Sequence, residues 1–300
     1  MDATDRPARL AVGVVGAGRV GAALGAALTL AGHRVVAASG VSDASRRRAE
    51  ALLGGVPLLP VPEVVARAEL VLLTVPDDVL PGLVDGLAAT GCFRSGQLLA
   101  HTSGRYGVAV LDAATRVGAL PLAVHPVMTF AGTTTDVARL AGASFGVTAP
   151  DPLRPVAEAL VVEMGGEPQW VAEAARPLYH AALAHGANHL VTLVAESMDL
   201  LRRVGVDDPG RMLGPLLGAA LDNVLRCGDA ALTGPVSRGD TATVAAHVEE
   251  LARISPRTVA AYVALARLTA VRALAVNRLR QDAAEALLDV LARAGRAEAS

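Results

Sequence analysis

The sequence predicts an α/β fold: a mostly parallel sheet covered by helices on both faces, followed by an all-helical domain. Three observations carry this. Short, nearly continuous apolar runs alternate with helical patterns from Leu10 to about Val171, as expected of strands buried on both faces and joined by helical crossovers. A glycine-rich turn, Gly16-Ala17-Gly18-Arg19-Val20-Gly21, separates the first apolar run from an Ala/Leu-rich stretch. From Ala172 onward the strand pattern stops and the helical one continues. Two domains are expected, residues 1–172 and 173–300.

Taken in order, residues 1–8 read as a disordered tail. Strands are expected at Leu10–Val15, Arg34–Ala38, Leu70–Val75, Gln97–His101, Leu120–Val124, Ser144–Thr148 and Gln169–Val171. Helices are expected between them at about Val20–Ala31, Ser45–Leu53, Pro62–Ala66, Asp78–Ala89, Val108–Arg116 and Pro152–Met164. The second domain reads as helices at about 173–204, 211–227, 240–253, 256–279 and 281–295. Gly205 to Gly210, Gly228 to Gly239 and Ser255-Pro256 supply the breaks.

Composition narrows the function classes. A net charge of −2 over 300 residues gives no basic footprint for nucleic acid and no polybasic membrane patch. Two cysteines without a CxxC indicate neither a disulfide framework nor a zinc site, and a reduced cytoplasm fits. Ala11 to Gly32 would pass a membrane-span length test, but its glycines and Arg19 point to a buried helix and turn. Aromatics are only 2% against 52% hydrophobic, so the core must be Ala, Val and Leu. All 27 basic residues are arginine, so neither a Schiff base nor a lysine proton donor is available.

The glycine turn has the flanks of a dinucleotide-binding βαβ unit, which makes the first domain Rossmann-type. Gly16 permits the turn, Gly18 lets a pyrophosphate approach the backbone, and Gly21 lets the helix pack on the strand. Ala17, Arg19 and Val20 complete the loop, whose N–H groups face the anion. At the end of the second strand, where an acidic residue holds a ribose 2′-OH, stands Ser39. Ser42, Ser45 and Arg46 follow, hydroxyls and a guanidinium suited to a 2′-phosphate. NADP(H) is therefore expected over NAD(H). Two alternatives stay open: Asp43 takes the 2′-OH, or the arginines are a solvated helix face. Val75 and Pro76, ending the third strand, are expected to line the cofactor groove, with Asp77 or Asp78 capping the next helix.

Polar groups at other strand ends mark the reacting centre. His101 and Ser103 follow the fourth strand and His125 the fifth, and a parallel sheet directs these ends to one crevice. In Tyr179 to His189 three histidines and Asn188 interrupt an apolar helix. At about 100° per residue, His180 and Asn188 lie about 80° apart on a face lined by small residues. His185 and His189 lie further round. Arg238, just before the cap residue Asp240, is a candidate to clamp a substrate carboxylate, from a partner subunit if the protein is a dimer. No carboxylate joins the histidines at metal-ligand spacing.

The segments GAGRVG, TVPDD, HTSG, HPVMTF, YHAALAHGANHLV and ALTGPVSRGD resemble a bacterial oxidoreductase family. Its members have a Rossmann-like N-terminal domain and a C-terminal helical domain of unknown function. The architecture is similar to that of ketopantoate reductase, prephenate dehydrogenase, pyrroline-5-carboxylate reductase and 3-hydroxyisobutyrate dehydrogenase. The resemblance implies an NAD(P)-dependent enzyme of a small carboxylate substrate (2-oxo acid, hydroxy acid or imine) and a homodimer through the helical domain. Ketopantoate reductase and hydroxyisobutyrate dehydrogenase use a helix lysine one turn before an asparagine. With Asn188 in the asparagine place, Ala184 stands at the lysine place, leaving His180 or His101 as proton donor. HPVMTF is similar to a His-Pro motif of prephenate dehydrogenases. The alternative is a non-catalytic NADP(H)-binding sensor or regulatory protein, which the missing lysine favours and the His/Asn set opposes.

Overall fold

Six largely apolar segments alternate their side chains between two buried layers and form one sheet with a seventh, polar and mostly exposed edge segment. A computed structural model describes residues 9–296; the tail expected at residues 1–8 lies outside the described residues. The strands are β1 (Ala11–Val15), β2 (Arg34–Ser39), β3 (Leu70–Leu73), β4 (Leu98–His101), β5 (Leu120–Pro126), β6 (Ser144–Thr148) and β7 (Glu167–Trp170), in the spatial order β2-β1-β3-β4-β5-β6-β7. All neighbours are parallel except β5 and β6. A single parallel bridge, Leu58 beside Ala38, extends the outer edge of β2 by one residue.

The crossovers are α1 (Arg19–Leu30), α2 (Asp43–Leu53), α3 (Val61–Arg67), α4 (Leu80–Ala89), α5 (Asp112–Thr115, entered through a 3-10 turn), α6 (Thr134–Arg139) and α7 (Arg154–Glu163). In β3, Leu70 and Leu72 join the layer of Leu24, Leu28, Val124, Phe145 and Leu160, whereas Val71 and Leu73 join Val64, Leu80, Val84, Leu99 and Leu111. A strand buried on both faces reads as a continuous apolar run for this reason.

Two details of the crossovers differ from expectation. Neither Asp77 nor Asp78 caps α4, whose N-cap is Val79 without a side-chain bond, because the 76–79 turn closes on the Pro76 carbonyl. Helix α6 lies where no helix is expected. Its buried Asp136 accepts the N–H groups of Ala131, Gly132 and Thr133. The run Thr133-Thr134-Thr135 obscured it, although Thr133 followed three residues later by Asp136 is a helix-start signal.

The chain divides into two compact units, Met1–Asn188 and His189–Ser300. The sheet belongs to the first. The long helix α8 (Arg176–Arg203) runs through the division, and α9 (Pro209–Cys227), α10 (Pro235–Arg238), α11 (Thr241–Ile254), α12 (Pro256–Ala275) and α13 (Gln281–Arg296) follow. In the second unit Val259, Val263, Ala266, Ala270 and Ala273 of α12 form the core with Val236, Val244, Leu287 and Leu291. Among the described residues α12 is the one helix long and apolar enough to cross a membrane, by length and composition only. It ends earlier than expected because Asn277 turns left-handed, with φ 57°. Asp240 caps α11 as expected, accepting from Thr243.

Candidate functional site

The register of the parallel strands sets Ser39, Val15, Leu73, His101 and Ala123 in one row near the carboxyl edge. The strand order reverses between β2 and β3, on either side of β1, so the crevice of this switch point opens at the turn after β1.

That turn is the glycine loop, and its three glycines do three different things. Gly16 is left-handed, with φ +94°, and a Cβ there would stand 2.9 Å from the Thr74 carbonyl oxygen. A Cβ at Gly21 would collide with Thr74 Oγ1 and the Gly16 carbonyl, so this glycine is required by helix–strand packing. At Gly18 a Cβ would meet nothing nearer than 3.9 Å, so that face is open to a ligand. Thr74 Oγ1 donates to the carbonyls of Gly16 (2.7 Å) and Val15 (3.1 Å), tying the loop to β3. The N–H of Ala17 goes to Ser39 O and that of Gly18 to Gly16 O. These two groups are therefore spent inside the loop, which corrects the expectation that Ala17 faces an anion. The helix α1 starts without a side-chain cap or an acidic residue in its first turn, so the N–H groups of Arg19 and Val20 remain for an anion. Arg19 is exposed beside them.

The expected ribose end splits. Ser39 Oγ accepts the Gly16 N–H at 3.0 Å, so this hydroxyl also braces the loop. Ser42 and Ser45 cap α2 reciprocally: Ser42 Oγ accepts the Ser45 N–H, while Ser45 Oγ accepts the Ser42 N–H and donates to its carbonyl. Buried Ser45 is thus a capping residue, which corrects its assignment to a phosphate. Arg46 is exposed, reaches the Gly40 carbonyl at 3.4 Å, and with Ser39, Val41, Leu58, Leu59 and Val61 lines a cavity of about 460 Å³. Asp43 lines a neighbouring cavity of about 370 Å³ with Arg46, Arg47 and Glu50. Val75 is half-buried against the glycine loop, its Cγ1 3.2 Å from where a Cβ of Gly16 would be, and Pro76 is exposed beyond it.

The histidines separate by environment. His101 is fully buried, with Nε2 2.9 Å from Gly107 O and Nδ1 accepting the Ser103 N–H. Both ring nitrogens are claimed by backbone, and burial pushes its pKa down to about 4. Ser103 is buried too, and its Oγ accepts the N–H groups of Arg105 and Tyr106. The expectation that these two side chains face the crevice is corrected: they build the turn behind it.

His125, by contrast, lines a cleft of about 200 Å³ together with Met128, Thr129, His180, Ala184 and Asn188. The first unit therefore brings three expected residues together. The His125 and His180 rings meet edge to face at 6.2 Å. Gly104 makes room for both, since a Cβ there would stand 2.8 Å from His180 Cδ2 and 3.0 Å from His125 Nε2. Burial, then the Arg176 and His180 charges, lower the His125 pKa to about 4 against the pull of Asp77, so the ring is neutral at pH 7. Arg238, an exposed residue of α10, belongs to the second unit.

Two residues of this site escaped the sequence reading. Tyr179 Oη lies 2.8 Å from His125 Nδ1. Arg176 is fully buried and donates to Thr148 Oγ1 and to the carbonyls of Ser103, Ala123 and Gly146, with no carboxylate among these acceptors. The available signal was Arg176, Tyr179 and His180 at i, i+3 and i+4, one face of a helix.

Residues 1–126 match the family model of a Rossmann-like domain, and residues 143–269 match a domain of unknown function, DUF2520. The chain is thus similar to a Rossmann-like domain over its first part and to DUF2520 over its second. Among solved structures, a Bacteroides fragilis protein assigned as an NADP oxidoreductase is 20% identical, with 87% of this chain and 98% of that chain covered and a TM-score of 0.72. A Thermotoga maritima protein is 21% identical over 89% and 99% of the two chains, with a TM-score of 0.62. The 1-pyrroline-5-carboxylate reductase of Streptococcus pyogenes is 16% identical over 94% and 99%, with a TM-score of 0.57. At these identities the likeness is one of fold. No curated protein matches the chain.

Proposed function

We propose that this Rossmann-like/DUF2520 protein is a dinucleotide-dependent oxidoreductase, using NADP(H) in preference to NAD(H) on a small carboxylate-bearing 2-oxo acid, hydroxy acid or imine. The observation that carries the reading is the arrangement of one sheet edge. An uncovered Gly18 and an uncapped α1 stand at one place along it, and a cleft of neutral histidine and amide groups stands three strands away. From β2 to β5 the edge spans about 19 Å at the usual strand spacing, which an extended dinucleotide can bridge. The bound cofactor supplies the hydride. Arg19 and Val20 N–H groups hold the pyrophosphate, and Ser39, Arg46 and Leu58 receive the adenosine end. The preference for a 2′-phosphate rests on Ser39 at the end of β2, where no carboxylate stands, and on the exposed guanidinium of Arg46. At the other end His125 and His180 manage the proton, and Asn188 orients the reacting oxygen or nitrogen.

The same reading includes a homodimer through the helical domain. In α9 only Pro209 is buried, while Met212, Leu216, Leu221, Val224 and Leu225 are exposed. A second copy is the occupant that fits this unpartnered face.

The test is a fluorescence titration with NADPH and NADH, followed by NADPH oxidation against a panel of 2-oxo acids and cyclic imino acids. Tighter NADH binding overturns the cofactor preference. Tight NADPH binding without turnover of any panel member favours the sensor reading, which the absence of lysine supports.

A further inference from the structure

A buried guanidinium with no hydrogen-bonded carboxylate is costly, and Arg176, held by a hydroxyl and three carbonyls, lowers the pKa of His125 in the histidine cleft. Its cation lies 5.7 Å from the centre of the Tyr179 ring. The Tyr179 hydroxyl occupies space that Gly146 vacates, since a Cβ at Gly146 would collide with it. Tyr179 has two polar partners there, the Gly146 backbone and His125 Nδ1. The backbone bond lowers the phenol pKa, the effect of an N–H that donates to the oxygen. With the phenolic proton directed at Nδ1, His125 carries its own proton on Nε2, the nitrogen facing Gly104.

We propose that Tyr179 and Arg176 form a proton relay behind His125: Nε2–H gives its proton to the substrate atom that gains negative charge, Nδ1 takes the phenolic proton of Tyr179, and Arg176 holds the resulting tyrosinate. The inference rests on the reductase reading of the cleft. The balance closes. One N–H and one O–H bond break, a substrate O–H or N–H and a new Nδ1–H form, the imidazole stays neutral, and solvent later reprotonates the tyrosinate. Burial, Arg176 and His180 oppose an imidazolium at His125 and Asp77 favours one, so the two transfers are concerted rather than passing through a charged ring. Among the described residues no carboxylate is hydrogen-bonded to Arg176, and the Glu173 charge offsets its burial only in part, so a tyrosinate at Tyr179 adds a negative charge beside it and the guanidinium stabilises the charged state more than the resting one. Burial keeps Tyr179 protonated at rest by raising its pKa, against Arg176 and the Gly146 bond. Tyr179 and Arg176 act through His125 and are positioning residues.

The test is nitrogen NMR on the full chain labelled at its histidine ring nitrogens, with His125 assigned by a His125→Asn variant. At neutral pH the wild type is expected to show His125 protonated on Nε2 and bare on Nδ1. Tyr179→Phe removes only the hydroxyl and is expected to release the tautomer preference while changing the NADPH dissociation constant less than twofold. On whichever panel substrate is turned over, kcat is expected to fall at least tenfold with little change in KM. Arg176→Lys is expected to raise the Tyr179 pKa, read as the tyrosinate absorbance lost in Tyr179→Phe; if it does not fold, the tautomer measurement stands alone. A wild-type His125 protonated on Nδ1, or a Tyr179→Phe protein with unchanged tautomer and kcat, overturns the relay. Failure of the wild type to bind NADPH overturns the functional reading instead, and the tautomer measurement is independent of it.

Discussion

Replacing Gly18 and Gly21 by alanine, one at a time, separates packing from ligand recognition within one loop. At Gly21 the new methyl meets Thr74 Oγ1, the Gly16 carbonyl and, at 3.1 Å, Val14 Cγ1. Overpacking of this kind costs about 1–3 kcal/mol, only partly offset by the higher helix propensity of alanine. At Gly18 the φ of −72° suits any residue and the nearest atom is 3.9 Å away. The unfolded state loses entropy, so Gly18→Ala is expected to leave the apoprotein as stable as the wild type or up to about 1 kcal/mol more so. The same methyl projects to where a pyrophosphate approaches. Loss of one charged hydrogen bond is worth about 1.5–3 kcal/mol, or roughly 10- to 150-fold in NADPH affinity. Denaturant unfolding and NADPH fluorescence titration on the two variants read both quantities. A Gly18→Ala protein that binds NADPH normally, or one as destabilised as Gly21→Ala, would refute the assignment of these roles.

Three further outcomes are expected. Arg46→Ala weakens NADPH by about tenfold, the worth of a charge-assisted bond at an exposed site, and NADH by less than twofold, measured by parallel titrations; equal losses would remove Arg46 from the phosphate. His101, its pKa depressed from 6.5 to about 4 chiefly by burial, takes up no proton in the folded state where the unfolded chain does. Stability is therefore full above pH 6.5 and falls by about 3 kcal/mol as pH drops toward 4. A His101→Gln variant should show a flatter dependence in urea melts between about pH 7 and pH 4.5. Leu216→Glu with Leu225→Glu is expected to give monomers by light scattering if α9 is the homodimer face, and an unchanged mass would exclude that face.

The sequence by itself determined the features that are local. Strand β3 was legible because burial on both faces makes Leu70 to Leu73 uniformly apolar, and α1 because a helix pattern follows the glycine turn without interruption. The roles of Gly16 and Gly21 were legible because a left-handed turn and a close helix contact each admit only glycine. What the sequence left open was the partner of each polar group, since hydrogen bonds are assigned by neighbours distant in the chain. His101 and His125 both end strands of one edge, yet the Gly107 carbonyl and the Ser103 N–H consume the first, while the second lines a cleft. Ser45 reads as a phosphate ligand until the cap of α2 takes its hydroxyl. Nothing in the local sequence around Arg176 marks it as buried. Only the tertiary structure buries it beside Tyr179, because the acceptors that hold it come from β5, β6 and the turn after β4 together.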